Sequence, residues 1–185
     1  MPRVRINPFL PVLLCLMYRL DPVGCFWPFL VVAAVHELSH GLAVTLQGGV
    51  IQQVHLGLNG ATLETCGLSY RAEAVSALAG PVSGFLLAIL SPVNPWLGFW
   101  GMMLGLYNLL PVYPMDGGRA LRCALLMRCP YERALGISRF VTAATGTAVA
   151  CLGICASFVW NWGLWPCLLS GLFLYRVLTA IGTDA

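Results

Sequence analysis

The chain has 185 residues, of which 59% are hydrophobic and only 9% charged, and its mean hydropathy is +0.82. A soluble domain carries roughly a quarter charged residues, so this composition excludes a water-soluble globular protein and indicates an all-α polytopic membrane protein. The net charge is +3, with arginine as the only strongly basic residue, and the arginines form no tract with interleaved aromatic residues, which excludes nucleic acid as an expected partner.

We predict about six transmembrane helices in a single membrane-embedded domain, 1–185, with a small interfacial β-hairpin between the second and the third. A spanning helix needs roughly 20 mostly apolar residues, and fewer when it is partial or flanked by anchors. The six apolar segments are residues 7–20, 22–46, 73–90, 96–110, 137–159 and 162–179.

The first segment superficially resembles a signal peptide, because Arg3 and Arg5 precede an apolar stretch. Pro8 and Pro11 interrupt that stretch, and no convincing small-residue cleavage site follows it. These features favour a retained first span.

The second segment contains His36-Glu37-Leu38-Ser39-His40, a metal-hydrolase signature, inside the apolar run 22–46. Residues four apart project from one face of a helix, so His36 and His40 can present two imidazoles to one metal ion. Glu37 lies one step round the helix, where its carboxylate reaches a water that the metal activates. Ionisable groups at bilayer depth are costly and usually functional. The motif predicts a hydrolase that works within the membrane, with Glu37 as general base.

Residues 50–65 differ from the apolar segments around them. Two short runs of alternating character flank Asn59-Gly60, a pair typical of a tight turn between two strands. A hairpin in open lipid would leave backbone groups unpaired, so we expect this one at the interface or lining a wet cavity. Its exposed edge suits the binding of an extended substrate, and an ordinary surface hairpin is an equally weighted alternative.

The fourth segment ends in Asn108-Leu109-Leu110-Pro111-Val112-Tyr113-Pro114-Met115-Asp116-Gly117-Gly118. The prolines break the helix and the glycines permit tight backbone, and irregular backbone at membrane depth is tolerated where it is buried or lines water.

A catalytic zinc usually has three protein ligands, so the histidine pair needs a third. Asp116 is the preferred candidate. The alternative for Asp116 is a solvated carboxylate that caps the next helix or pairs with Arg119, and from the residues alone the two stay open. Three weaker candidates for the third ligand are His55, Glu64 and Glu73.

Arginine placement predicts the orientation of the chain. With a cytoplasmic N-terminus, six spans place nine of the ten arginines on the cytoplasmic side and only Arg19 outside, as the positive-inside rule requires. The C-terminus is then also cytoplasmic, and His36 and His40 lie in the cytoplasmic half of the second span.

Four features together resemble the site-2 protease family of intramembrane zinc metalloproteases. They are His36-Glu37-x-x-His40 in a span, the hairpin with Gly60, Ala79-Gly80-Pro81, and Asn108-x-x-Pro111-x-x-Pro114-x-Asp116-Gly117. Within the family the chain most resembles the sporulation branch, whose stage IV protease cleaves a membrane-tethered pro-sigma factor.

The resemblance implies a zinc metalloendopeptidase with one catalytic zinc ion held by His36, His40 and Asp116, and with Glu37 as the catalytic residue. We expect Asn108 to hydrogen-bond the substrate carbonyl or backbone. The expected partners are the lipid bilayer, a single-span or membrane-associated protein substrate such as a pro-sigma or anti-sigma factor, and inhibitory membrane proteins.

The chain departs from the family at two points. Many members have Asn where this chain has Gly84, which puts a substrate-facing role there in doubt. We also expect no C-terminal nucleotide-sensing CBS domain, which the sporulation enzymes commonly carry.

Two other functions are alternatives to a protease. A catalytically silent membrane scaffold of the same fold has no need of the general base Glu37. A metal or ion transporter would be expected to show repeated halves or paired broken helices, and the sequence has neither.

Overall fold

The computed structural model describes residues 3–57, 60–161 and 163–183, which form two compact units, Met1–Asn108 and Leu109–Ala185. The first unit contains β1 (Arg3–Ile6), α1 (Leu10–Arg19), α2 (Phe26–Leu46), β2 (Val50–Gly57), β3 (Gly60–Cys66), α3 (Tyr70–Ala88) and α4 (Pro95–Asn108). The second unit contains α5 (Asp116–Leu126), α6 (Tyr131–Phe158) and α7 (Trp165–Thr183).

Each of the six predicted apolar segments overlaps a helix, although α3 and α6 begin before the predicted residues 73 and 137. In the part of the chain that the structure describes, two helices, α2 and α6, are long and apolar enough to cross a membrane, while α1 and residues 166–179 of α7 are shorter apolar helices. The helix α5 is additional to the six predicted segments and follows the proline-broken stretch directly.

The predicted hairpin is present, but it is part of a larger sheet. β2 and β3 pair antiparallel, with an irregular register between Ile51 and Gln53. β1 then adds in parallel to the other edge of β2, with Arg5 opposite His55. The prediction of a two-stranded hairpin was therefore incomplete, because the residues before the first helix pair with a strand about 50 positions along the chain. Asn59 of the predicted turn lies outside the described residues.

One face of α2 is buried against the protein, and the opposite face is exposed. His36 and His40 lie on the face that packs inward, where the two imidazoles are buried. Leu38, Leu42 and Leu46 lie on the other face and are 71%, 60% and 77% exposed. A line of exposed leucines on a long apolar helix is the surface expected towards lipid hydrocarbon.

The helices α3 and α4 approach each other closely because glycines face one another. A methyl group added at Gly84 would lie only 2.8 Å from the carbonyl oxygen of Gly101, and one added at Gly105 would lie 2.9 Å from the Phe85 ring. Small residues permit such backbone approach between membrane helices. Gly84 therefore serves the packing of α3 against α4.

The second unit has its own apolar core. Val112, Phe173 and Val177 are buried together, with Leu110 and Met115 packed against them. The proline-broken stretch before α5 thus contributes three side chains to this core. Their packing holds the path of a backbone that is not helical.

Candidate metal centre

His36 and His40 form the first half of the candidate site. They lie one turn apart on α2, and their ring centroids are 4.8 Å apart. The two Nε2 atoms approach to 3.2 Å, so both imidazoles direct the same nitrogen towards one point. The helical spacing predicted this convergence.

The main chain of α3 orients His40. Nδ1 of His40 lies 2.7 Å from the carbonyl oxygen of Ser76, in a buried contact. Because a carbonyl only accepts, Nδ1 carries the proton, and the lone pair of the neutral ring is on Nε2. A ligating histidine usually has such a partner on its other nitrogen, so Nε2 of His40 is prepared to bind a metal.

Gly80 provides the space in which the two rings lie. A methyl group added at Gly80 would overlap Nε2 and Cε1 of His40 and would lie 2.7 Å from Cε1 of His36. Any side chain on α3 at this position would fill the volume that the imidazoles occupy. The histidine pair thus explains why a glycine stands at the centre of Ala79-Gly80-Pro81.

Glu37 lies beside the histidines and is half-buried. A methyl group added at Gly60, the first residue of β3, would lie 3.9 Å from Oε1 of Glu37. The start of β3 therefore reaches the neighbourhood of this carboxylate. Gly60 has φ +108°, a conformation that side-chain-bearing residues rarely adopt.

Asp116 begins α5, and the backbone before it is tightly folded. Methyl groups added at Gly117 or Gly118 would collide with main-chain atoms of residues 109–113. The hydroxyl of Thr142 on α6 accepts the N–H of Tyr113 at 3.1 Å. The glycines and this hydrogen bond together determine where Asp116 begins the helix.

The structure also bears on the alternative roles of Asp116. Met115, and not Asp116, is the N-cap of α5, and the Met115 side chain makes no capping hydrogen bond. Asp116 therefore does not occupy the N-cap position that the capping alternative gave it. Its Oδ1 lies 4.0 Å from Nη1 of Arg119, so the predicted pairing with Arg119 is present. Asp116 is nevertheless buried, which a solvated surface carboxylate would not be.

His36 and His40 in the first unit and Asp116 in the second unit are the predicted metal ligands, and each of the three is buried. Two imidazoles and one carboxylate are a donor set that suits zinc and leaves a coordination position open. The protonated Nδ1 of His40 and the space at Gly80 agree with that use, so these residues fit a zinc ion.

The other predicted site residues lie elsewhere. His55 is on β2 between Arg5 and Thr62, Glu64 is on β3 opposite Gln53, and Glu73 is in the first turn of α3. Among the described residues, none of these three belongs to a cluster that could hold a metal ion. Asn108 is the last residue of α4, and its side-chain amide donates to the carbonyl of Leu104 at 3.0 Å; its substrate contact stays a prediction.

Sequence reasoning missed Ser76 and the reason for Gly80. Ser76 acts through its carbonyl, which every residue has, so no residue type marks it. The sequence marks Gly80 only as part of Ala79-Gly80-Pro81 and does not predict that the histidine pair is its neighbour.

Comparison with known proteins gives relatives of one kind. No protein-family model matches the chain. The chain is 27% identical over 132 residues to a zinc metalloprotease of Methanocaldococcus jannaschii, a match that covers 61% of this chain and 39% of that protein. It is 23% identical over 146 residues to stage IV sporulation protein FB of Bacillus subtilis, covering 71% of this chain and 51% of that protein.

Among solved structures, a site-2 protease from Methanocaldococcus jannaschii has the same fold, with a TM-score of 0.65 and 24% identity. That match covers 96% of this chain and 90% of the other. The chain thus spans about two fifths to one half of the length of these two curated relatives, and nearly all of it shares the fold of the solved one.

Proposed function

We propose that this chain is an intramembrane zinc metalloprotease. The relatives confirm its resemblance to the site-2 protease family. Its substrates would be membrane-tethered proteins with a single span or a membrane-associated segment. A pro-sigma or anti-sigma factor is the proposed substrate class, because stage IV sporulation protein FB is among the relatives.

The observation that carries this proposal is the buried pair His36 and His40, whose Nε2 atoms approach to 3.2 Å, with Glu37 next to them on α2. Asp116, the buried first residue of α5, is the proposed third ligand, as the family resemblance implies. Three zinc ligands and a nearby carboxylate are the parts of a metal-dependent hydrolase. The exposed leucine face of α2 supports a site at bilayer depth.

The chemistry divides between the metal and the chain. Zinc, when bound, supplies Lewis-acid activation of a water and of the peptide carbonyl. Glu37 takes a proton from the attacking water and returns it to the leaving amine as the peptide bond breaks. Asn108 donates a hydrogen bond to the substrate carbonyl or to the adjacent backbone.

Access to the scissile bond requires a change in the substrate. A peptide bond within a transmembrane helix has its carbonyl engaged in the helix, so the substrate must unwind locally before attack. Helix-breaking residues near the cleavage position would favour this unwinding.

The proposed placement in the membrane follows from the arginines. We assign six spans, with both termini in the cytoplasm and nine of the ten arginines on that side. Inhibitory membrane proteins would act on the enzyme in the same bilayer.

The experiment compares wild type with Glu37→Gln and, as a matched control, Glu132→Gln, which changes an exposed glutamate in the first turn of α6. Each is co-expressed with a panel of tagged single-span proteins that includes a membrane-tethered pro-sigma factor. Zinc content is measured on the purified proteins.

We expect wild type and Glu132→Gln to cleave at least one substrate, and Glu37→Gln to lose about 100-fold or more of that activity while it retains zinc. Undiminished cleavage by Glu37→Gln would refute the assigned mechanism. A wild-type protein without bound zinc would refute the metal site.

A further inference from the structure

Gln47, directly after the last residue of α2, connects the end of this helix to α3. Its side-chain amide donates to the carbonyl of Ala72 at 2.9 Å and to the hydroxyl of Ser76 at 3.0 Å. The same nitrogen lies 3.3 Å from the carbonyl of Ala43 on its own helix. One amide thus hydrogen-bonds two residues of α3 that are one helical turn apart.

Ser76 connects the Gln47 amide to the candidate metal centre. Its hydroxyl is bound to Gln47, and its carbonyl accepts the proton of His40 Nδ1 at 2.7 Å. Ser76 is 3% exposed and His40 6%, so water does not compete readily for the contact between them, whereas Gln47 itself is exposed. A displacement of this turn of α3 would move the carbonyl that sets the orientation of the His40 ring.

This turn of α3 has a reason to need an external contact. Pro81 lies inside α3, five residues after Ser76, and proline has no N–H to donate to the carbonyl four residues before it. Helices bend most readily at such points. A hydrogen bond from another helix to Ala72 and Ser76 fixes the turn just before this weak point.

An ordinary end cap of α2 is the competing explanation for Gln47. A cap requires only contact with the last carbonyls of its own helix, and the Ala43 contact is of that kind. That contact is the longest of the three, whereas the two contacts to α3 are 2.9 and 3.0 Å. The geometry therefore favours a link between helices.

We propose that Gln47 is a positioning residue for the metal centre, which holds Ser76 so that its carbonyl keeps Nε2 of His40 directed at the metal. The inference rests on the proposed zinc site, because a positioning role has meaning only if His40 is a ligand. Outer contacts of ligating histidines typically change metal affinity by about 10- to 100-fold when removed, and Gln47 acts one contact further out.

The test uses the full chain in detergent, with Gln47→Leu as the variant and Gln52→Leu as the matched control. Gln52 is an exposed glutamine on β2 whose amide contacts Cys66. The dissociation constant for zinc is measured by competition with a chelator, the absorption spectrum is recorded with cobalt in place of zinc, and the Tm is measured without metal.

We expect Gln47→Leu to weaken zinc binding about 10-fold and to shift the cobalt absorption bands, while Gln52→Leu matches wild type. Ser76→Ala, which removes the hydroxyl and keeps the carbonyl, should weaken zinc binding by a smaller factor, about 3-fold. Gln47→Glu, which has the same shape but cannot donate to the carbonyls, should be no better than Gln47→Leu.

Two results would overturn the inference. In one, Gln47→Leu keeps the zinc affinity and the cobalt spectrum of wild type. In the other, it lowers only the Tm of the metal-free protein, which would make Gln47 a helix cap. Failure of the wild type to bind zinc is a separate result, since it would refute the proposed function itself.

Discussion

The helix α2 and the stretch from Leu109 to Leu126 each supply candidate metal ligands, but they hold them by different means. In α2 the helical repeat aligns His36 and His40, and the surroundings need only leave room for them and orient their rings. In the second stretch, Asp116 follows irregular backbone whose path depends on glycines, on Thr142 and on the apolar core. The contrast teaches that a ligand on a regular helix depends on side-chain space, whereas a ligand after a broken one depends on backbone position.

The largest expected effect comes from removing one ligand in each region, by His40→Ala and by Asp116→Ala. Structural zinc binding is worth about 10–16 kcal/mol over four ligands, so we expect each variant to lose about 100-fold or more in zinc affinity. Chelator competition measures this loss.

The two variants should differ without metal. His40→Ala removes the donor to the buried Ser76 carbonyl and should destabilise the metal-free protein by about 1–3 kcal/mol. Asp116→Ala should cost less, because its contact with Arg119 is long and partly exposed. Equal losses of stability would contradict the comparison.

The next effect separates side-chain space from backbone position. Gly80→Ala places a methyl group among the imidazole atoms, so we expect zinc affinity to fall about 10-fold or more with the fold retained. Gly118→Ala places its methyl group against the main chain of Val112 and Tyr113, and overpacking of this kind should cost about 1–3 kcal/mol of stability.

Gly136→Ala on α6 serves as the control for both glycine variants, because a methyl group there meets no neighbour within 4 Å. It should leave zinc affinity unchanged and stabilise the helix slightly. If Gly80→Ala binds zinc as tightly as this control, Gly80 is not needed as space for the imidazoles.

A smaller effect tests the support of the broken stretch. Thr142→Val removes the hydroxyl that accepts the N–H of Tyr113, and Thr142 is 1% exposed, so water does not replace it readily. We expect a loss of about 1–2 kcal/mol in thermal unfolding experiments. Thr142→Ser retains the acceptor and should restore most of the loss; a Ser variant as unstable as the Val variant would show that packing, not the hydrogen bond, matters here.

The smallest effect concerns acid stability at the start of α2. The carboxylate of Asp21 accepts the N–H groups of Phe26 and Val23, and the hydrogen bond from Phe26 is the main cause that lowers its pKa below the ordinary value. Because the folded pKa is the lower one, the stabilisation is fully present above about pH 4 and is lost as the pH falls through the folded pKa.

We expect Asp21→Asn to lower the Tm slightly at pH 7 and to flatten its decline below about pH 4, with zinc affinity at pH 7 unchanged. A variant whose Tm falls as steeply in acid as that of wild type would rule out Asp21 as the source. A change in zinc affinity would show that the start of α2 is coupled to the histidines.

Much of the helical architecture was predictable because its causes are local. Apolar length marks the six segments that contain helices, and proline marks the end of α4 before Pro111. The strand β1 was missed although Arg3-Val4-Arg5-Ile6 alternates in character. A strand of four residues is defined by its partner, and β2 lies too far along the chain to be identified as that partner from periodicity.

The candidate site was predictable to a different extent in each region. The histidine pair and Glu37 follow from spacing within one helix turn. Asp116 has an equally plausible role beside Arg119 unless the family resemblance is considered, and the structure contains the Arg119 contact. Spacing does not choose between partners when the chain between them is irregular.

The sequence by itself marked the residues to which we assign the chemistry, since the helical repeat places His36, Glu37 and His40 within about one turn inside an apolar run. The tertiary structure alone decided how they are held. The Ser76 carbonyl keeps the proton of His40 on Nδ1, Gly80 leaves space for both rings, and Gln47 links α2 to α3 by hydrogen bonds. These contacts join residues that are distant along the chain. They depend on main-chain carbonyls, on the space beside a glycine and on close packing, and these leave no pattern in the sequence.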